Sequence, residues 1–233
     1  MGNLDSLTTL LDSVCLDAVD PQGGARRILH PLTLEITQGT VAVVGANGSG
    51  KSSLLRLIAG LVEPSSGTVT FAPGPPRTGF VFANPQAQIV MPVVAEDIEF
   101  SLKQAGLARR QRRAAALEIL EDMGLGERAD SSVYELSSGE RQKVALAGVL
   151  AVRPELVLAD EPTTLLDLAN AQEFQHRLLN MEVPVVVATH DLELAAQAER
   201  VLVFEGGRLV ADDEPAPALT FYRQLALGQH HRR

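Results

Sequence analysis

Val41-Ala42-Val43-Val44-Gly45-Ala46-Asn47-Gly48-Ser49-Gly50-Lys51-Ser52-Ser53-Leu54-Leu55-Arg56-Leu57-Ile58 is the stretch on which the architecture turns. Its apolar, β-branched start reads as a strand and its glycines as a tight turn. Leu54, Leu57, Ile58 and Leu61 recur at helical spacing, which predicts a helix over Ser53 to Leu61. Between strand and helix, Gly45, four residues, then Gly50-Lys51-Ser52 match the spacing of a phosphate-binding loop. The glycines let the backbone curl, so that several N–H groups and the helix N-terminus converge on one phosphate. Lys51 then reaches the β and γ oxygens, as a catalytic as well as a binding group, and Ser52 offers its hydroxyl to Mg²⁺. The predicted nucleotide-binding set is Gly45, Ala46, Asn47, Gly48, Ser49, Gly50, Lys51, Ser52 and Ser53. A serine-capped glycine turn would explain the bend but not Lys51 at that spacing.

Farther along, Leu156-Val157-Leu158-Ala159 is an apolar strand that ends in Asp160-Glu161-Pro162. Ligands of open α/β sheets sit at the carboxyl ends of strands. Asp160 is therefore placed to hold the Mg²⁺ shell, and Glu161 to orient and deprotonate a water opposite the γ-phosphate. Asp-Glu after a strand is often only a helix start; paired with the phosphate loop it predicts hydrolysis. His190 follows Val185-Val186-Val187-Ala188, with Asp191 beside it. A lone histidine is more often structural, but this one leaves a strand expected beside the phosphate-loop strand. It is predicted to donate a hydrogen bond to the γ-phosphate.

The rest of the chain alternates in the same way. Short strands are expected at Val69 to Phe71, Gly79 to Phe82, Glu155 to Ala159, Val183 to Ala188 and Arg200 to Phe204, with helical segments between the last three. Gly206-Gly207 predicts a hairpin, Ala216 to Leu227 a closing helix, and Gln229 to Arg233 a frayed tail with too few histidines for a metal site. From about Ala95 to Leu150 the pattern is helical, broken at Gly106, Gly124, Gly126 and Ser131-Ser132, which suggests an inserted lobe.

Composition sets the outer limits. The 233 residues suit one α/β domain, and hydrophobic residues at 45% with charged ones at 21% describe an ordinary folded chain. The longest apolar run, Val144 to Val152, is far short of the roughly 20 residues that span a bilayer. No Lys or Arg precedes Arg26, while Asp5, Asp12, Asp17 and Asp20 do, which is the wrong charge for a targeting signal and predicts a cytoplasmic protein. The start Met1 to Ser6 fits an acylation pattern short enough to arise by chance. Cys15 stands alone and reads as a small buried hydrophobe. A net charge of −9 argues against nucleic acid as a partner, and the cluster Arg109, Arg110, Arg112 and Arg113 reads as a solvated helix face.

Leu136-Ser137-Ser138-Gly139-Glu140-Arg141-Gln142 opens a long helix ahead of Asp160, and this segment resembles the signature motif of ABC ATPases. With the phosphate loop, Asp160 to Thr163, Leu166-Asp167 and His190, it reproduces the ordered motif set of that family over nearly the whole chain. The resemblance implies a P-loop NTPase core with a mostly parallel sheet, an antiparallel β subdomain and a helical lobe at about 90–152, all within one ATPase domain of residues 1–233. It also implies a homodimer or heterodimer with a second ABC ATPase, in which Ser137, Ser138, Gly139 and Glu140 of one subunit close over ATP on the other and Asp167 lies at the shared loop. Hydroxyl, amide and helix dipole at that helix start favour an anion. Within the family, Phe82 to Val90 and Val144 to Ala151 look like the ATPases of energy-coupling-factor importers, which act on integral membrane subunits from the cytoplasmic side. Gln88 to Pro92 look most like a biotin-type ATPase, with cobalt or nickel importers next, and Ile89 to Val93 form an apolar run suited to docking or to a buried turn.

Three departures from the family pattern stand out. Ala83 stands where a loop glutamine is usual, so Gln86, or else Gln88, is the expected substitute near Mg²⁺. Ser138 and Glu140 replace the usual Gly and Gln. No aromatic residue occurs from Met1 to Thr70, so the ring that stacks on adenine, expected near Ala18 or Val19, is missing. A soluble ABC ATPase acting on nucleic acid or ribosomes is the alternative function; it ordinarily brings a second cassette, a coiled-coil insert or a basic face. A small-molecule P-loop kinase leaves the signature segment unexplained.

Overall fold

The computed structural model describes residues 7–19, 24–37, 39–105 and 107–230. In chain order the elements are β1 (Thr8–Val19), β2 (Ala25–Ile36), β3 (Thr40–Gly45), α1 (Lys51–Ile58), β4 (Ser66–Ala72), β5 (Thr78–Val81), α2 (Val94–Ser101) and α3 (Arg109–Asp122). There follow α4 (Ser138–Ala151), β6 (Leu156–Asp160), α5 (Leu168–Leu179), β7 (Val185–Ala188), α6 (Leu192–Ala195), β8 (Arg200–Glu205), β9 (Arg208–Asp213) and α7 (Pro215–His230). Two compact units emerge, residues 1–76 with 181–233 and residues 77–180. The acylation-like start at Met1 to Ser6, the break at Gly106 and the last three residues of the expected tail lie outside the described residues.

In the first unit β3 runs parallel to β7 on one side and β8 on the other, and β9 returns antiparallel to β8. Every residue of β3 and β7 is buried. That is why these segments read as unbroken apolar runs instead of alternating ones: helices cover both faces of a parallel sheet. α1 supplies Leu54, Leu55, Leu57 and Ile58 to this core. The β8–β9 hairpin turns on Gly206 and Gly207, as expected. A separate antiparallel sheet, ordered β2-β1-β4, alternates buried and exposed residues along β2 from Leu32 to Ile36. These two long strands were not legible individually. Register shifts between Leu11 and Val14, Val14 and Leu16, and Leu16 and Asp17 break the two-residue period of β1. Cys15 is buried there as a free thiol, in the apolar role expected of it.

The second unit joins the parallel pair β5 and β6 to the helices α2 to α5. Val94, Ala95 and Ile98 of α2, Ala116 and Leu120 of α3, and Val144, Leu146 and Ala147 of α4 form its buried centre. The arginines at the start of α3 are not all solvated as expected. Arg113 pairs with Glu99 at 3.2 Å and with Asp130, and Arg112 donates to the Leu107 carbonyl. Two helix boundaries also differ from expectation. α1 starts at Lys51, within the phosphate loop, and ends at Ile58 ahead of Gly60, whose positive φ of 67° stops it. α7 extends from Pro215 to His230, so part of the expected tail is helical. Among the described residues no helix is long and apolar enough to cross a membrane.

Leu146 is fully buried on α4, and its truncation leaves a cavity in the second unit. Leu146→Ala is expected to cost about 2–5 kcal/mol, read as a lowered urea midpoint for that unit. A change below about 1 kcal/mol would show that the helices collapse around the gap.

Candidate functional site

In the first unit the phosphate loop is built on the end of β3. Its tightness is steric as much as conformational: a Cβ on Gly45 would lie 2.2 Å from the Phe204 carbonyl oxygen. Gly50, at φ 105°, adopts the left-handed region just before α1. No side chain caps α1 and no acidic residue occupies its first turn, so its leading N–H groups suit an anion. Lys51 is buried, and its Nζ donates to the carbonyls of Gly45 at 2.8 Å and Ala46 at 3.4 Å. From behind, the Gly207 N–H donates to the Ser49 carbonyl at 3.0 Å, and the His30 N–H to the Gly207 carbonyl at 2.8 Å. Ala46, Asn47 and Gly48 face solvent, while Ser52 and Ser53 are half-buried.

His190 reaches the same edge. Val43 pairs with Ala188, so two residues further along each strand come Gly45 and His190. Buried Thr189 donates its N–H to the Val43 carbonyl at 3.0 Å, and Asp191 caps α6 by accepting from the N–H groups of Glu193 and Leu194. The neighbours anchor the turn, and His190 is an exposed residue. The structure thus brings together the phosphate loop and His190. Ala18 stands exposed on β1, in register with Arg26.

The second unit carries the carboxylates. β6 is buried throughout and ends at Asp160, which is 6% exposed. Glu161 takes a left-handed backbone, φ 48°, a conformation that costs a non-glycine residue about 1–3 kcal/mol and that clusters at functional sites. Val81 pairs with Ala159, so Phe82 and the loop after it leave from the same edge as Asp160. In that loop Gln88 is engaged at both ends of its amide. It donates to the Ala145 carbonyl at 2.9 Å and accepts from the Phe82 N–H at 3.3 Å. Gln86 is exposed, its backbone N–H held by the Asn84 side chain at 3.0 Å. Of the two glutamines considered as substitutes at Ala83, Gln86 is the one whose side chain faces solvent.

Ser137 caps α4 in a reciprocal box with Glu140. The Glu140 N–H donates to the Ser137 hydroxyl at 3.2 Å, and Glu140 accepts from the Ser137 N–H at 2.8 Å. Glu140 also takes the Arg128 guanidinium at 3.1 Å. This arrangement gives Glu140 a local task that its departure from the family pattern did not reveal. Its carboxyl is held below the usual range, chiefly by the Ser137 N–H and further by the Ser137 hydroxyl and Arg128, against a burial effect. Ser137 and Ser138 remain exposed at the helix start. Asp167 caps α5, accepting from the Asn170 N–H and from its side-chain amide at 2.9 Å each, and those bonds lower the Asp167 pKa. Sequence reasoning missed Arg128 and Asn170. The i to i+3 spacing of Asp167 and Asn170 was a readable capping signal, whereas the Arg128 contact arises only in the fold.

The chemistry of the donor set suits Mg²⁺. Ser52 of the first unit and Asp160 of the second each offer a hard oxygen. Mg²⁺ takes such oxygens singly, with substrate phosphates and water completing its shell.

Glu140 yields a pH test. A depressed carboxylate pKa stabilises the fold above the ordinary range, and the contribution is lost as pH falls through the folded value. Glutamine keeps the capping geometry but not the charge. The wild type is therefore expected to exceed Glu140→Gln by roughly 0.3–1 kcal/mol near neutral pH, in urea titrations, with the gap closing as pH falls below the ordinary carboxylate range. A gap independent of pH would refute the electrostatic account.

Comparison with known proteins identifies the family. The ABC transporter family matches residues 29–164. The biotin transport ATP-binding protein BioM of Rhizobium etli is 43% identical over 211 residues, covering 87% of this chain and 94% of that protein. The energy-coupling factor transporter ATP-binding protein EcfA1 of Lactiplantibacillus plantarum is 34% identical over 227 residues, 90% of this chain and 80% of that one. A solved structure described as the dimeric, post-hydrolysis state of the ATP-binding cassette MJ0796 with ADP and Pi matches with a TM-score of 0.79 at 27% identity, covering 89% of this chain and 98% of that one. Similarity of this extent is not confined to the phosphate loop, and the chain belongs to the ABC transporter family as one of its ATP-hydrolysing subunits.

Proposed function

We propose that this chain is the ATPase of an energy-coupling-factor importer, bound to integral membrane subunits on the cytoplasmic side and working as a dimer with itself or a second ABC ATPase. The observation that carries the reading is the similarity to BioM and EcfA1 along most of each chain. Biotin is the first candidate cargo, a cobalt or nickel ion the next. In this reading residues 1–233 act as a single ATPase domain, with about 90–152 as its inserted lobe, and nucleic acid is not a partner.

Lys51 and the N–H groups of residues 45–53 hold the nucleotide phosphates, with Lys51 countering charge on the β and γ oxygens. Ser52 and Asp160 would hold Mg²⁺, with Gln86 the further candidate; the ion, when bound, would neutralise the developing phosphoryl charge. Glu161 accepts the proton of the attacking water, and His190 donates to the γ-phosphate oxygen as charge builds there. Ser137, Ser138 and the Gly139 N–H close over the nucleotide of the partner subunit, beside the loop of Asp167. What supports these roles is local: an uncapped α1, an imidazole at the phosphate-loop edge, a strand-end carboxylate pair and an exposed serine-capped helix start.

Removing the base should stop turnover without touching the phosphate cradle. Glu161→Gln is expected to lower ATPase activity by about 10²-fold or more and to accumulate a dimer with MgATP on size-exclusion chromatography. A variant that binds ATP and stays monomeric would sink the shared-site reading.

Docking is assigned to the stretch from Gln86 to Glu99. Val90 is 64% exposed, and its N–H and that of Met91 donate to buried Asp97 at 2.7 and 2.9 Å, so an apolar tip is presented on a pinned loop. A buried-turn role does not suit that exposure. Val90→Asp should release the ATPase from its membrane partners and leave nucleotide affinity within about twofold, because a charge cannot be desolvated there without a partner. Co-purification from the native membrane, with biotin, cobalt and nickel uptake measured in parallel, identifies the cargo. An isolated ATPase with no integral subunit in the wild-type preparation would count against the importer assignment.

A further inference from the structure

The signature segment and the Asp167 loop belong to the same unit, and one amide lies between them. Asn170 donates its N–H to one carboxylate oxygen of Asp167 and its Nδ2 to the other, both at 2.9 Å. A carboxylate only accepts, so Nδ2 must face Asp167 and the orientation of the amide is settled. The same amide group packs on Gly139. A Cβ at Gly139 would lie 2.6 Å from the Asn170 Cγ, 2.7 Å from Oδ1 and 2.9 Å from Nδ2. Gly139 itself is buried, so this approach is a packed contact and not a surface accident. About one turn further along each helix, the Lys143 ammonium meets the Glu173 carboxylate at 2.6 Å. α4 and α5 are thus tied at two levels, and the upper tie is made by the residue that fixes the Asp167 turn.

We propose that Asn170 is a positioning residue, which locks the Asp167 turn to the start of the signature helix so that both meet the partner's nucleotide as one edge. This deepens the shared-site reading and rests on it. Asn170 touches neither phosphate nor water in this account; it acts through Gly139 and Asp167. A merely structural contact between two helices would be replaceable by any small side chain. A lock is not, because it needs a side-chain donor toward Asp167, beside the backbone N–H, and a flat face toward Gly139.

The test uses the full chain carrying Glu161→Gln. Adding Asn170→Ala should raise the MgATP concentration for half-maximal dimer formation by about tenfold or more, while the affinity of the dilute monomer for a fluorescent ATP analogue stays within about twofold. Asn170→Asp, which sets a like charge against Asp167, should do at least as much damage. Gly139→Ala, alone, should also impair dimer formation, because the new methyl collides with the amide. Combined with Asn170→Ala, its effect should shrink by about threefold or more, since the obstacle is gone. Unchanged dimer formation in Asn170→Ala, strict additivity of the two substitutions, or an equal loss of monomer nucleotide affinity would each overturn the proposal. Failure of the Glu161→Gln parent to dimerise would instead remove the shared-site reading, and this inference with it.

Discussion

A lysine ammonium kept almost wholly out of water is the constraint around which the first unit is arranged. Lys51 is 5% exposed, and a charge so placed costs several kcal/mol unless polar groups surround it. Backbone carbonyls of Gly45 and Ala46 meet that need, which requires the chain to fold back on itself within six residues of the strand end. Such a fold leaves no space for a side chain at Gly45, whose neighbour is the carbonyl of Phe204 on β8. Placement of β8 beside β3, and the β8–β9 turn against Ser49, are therefore parts of one device. The central position of β3, buried on both faces, makes that device rigid.

In the second unit several carboxylates are placed by backbone N–H groups. Three of them are engaged locally. Glu140 closes the cap of α4 and meets Arg128, and Asp167 closes the cap of α5. Asp97, buried at the start of α2, accepts the two N–H groups that shape the Val90 loop. Helix N-termini recur as the partner because unpaired N–H groups and the dipole both favour negative charge. Glu161 is also held in a left-handed backbone, φ 48°, a conformation that is strained for a non-glycine residue.

Much of this was legible from the residues in order. The strand, phosphate loop and helix around Lys51 follow from a change of period at fixed glycines, and β6, β7 and β8 follow from short apolar runs buried on both faces. The signature segment and Asp160-Glu161 were visible for the same reason, since residue type and spacing within one element carry the chemistry. Legibility failed where a regular period was interrupted. β1 and β2 are the longest strands, yet bulges in β1 shift its alternation, and local reading cannot see the partner strand that restores it. Spacing also left Gln86 and Gln88 equivalent; only the folded loop shows that the Gln88 amide bridges Phe82 to Ala145.

The sequence by itself determined the chemistry of the phosphate loop, the carboxylates at a strand end, the serine at a helix start and hence the family, because each is a short-range pattern enforced by backbone geometry. Tertiary structure alone decided that a side chain at Gly139 would collide with the Asn170 amide, which reaches that space from a helix 31 residues away in sequence. It alone decided that Glu140 is paired to Arg128 and that Val90 faces outward. Contacts between residues distant in sequence depend on how elements pack, and packing is set by the volume and shape of the whole core, which no local period encodes.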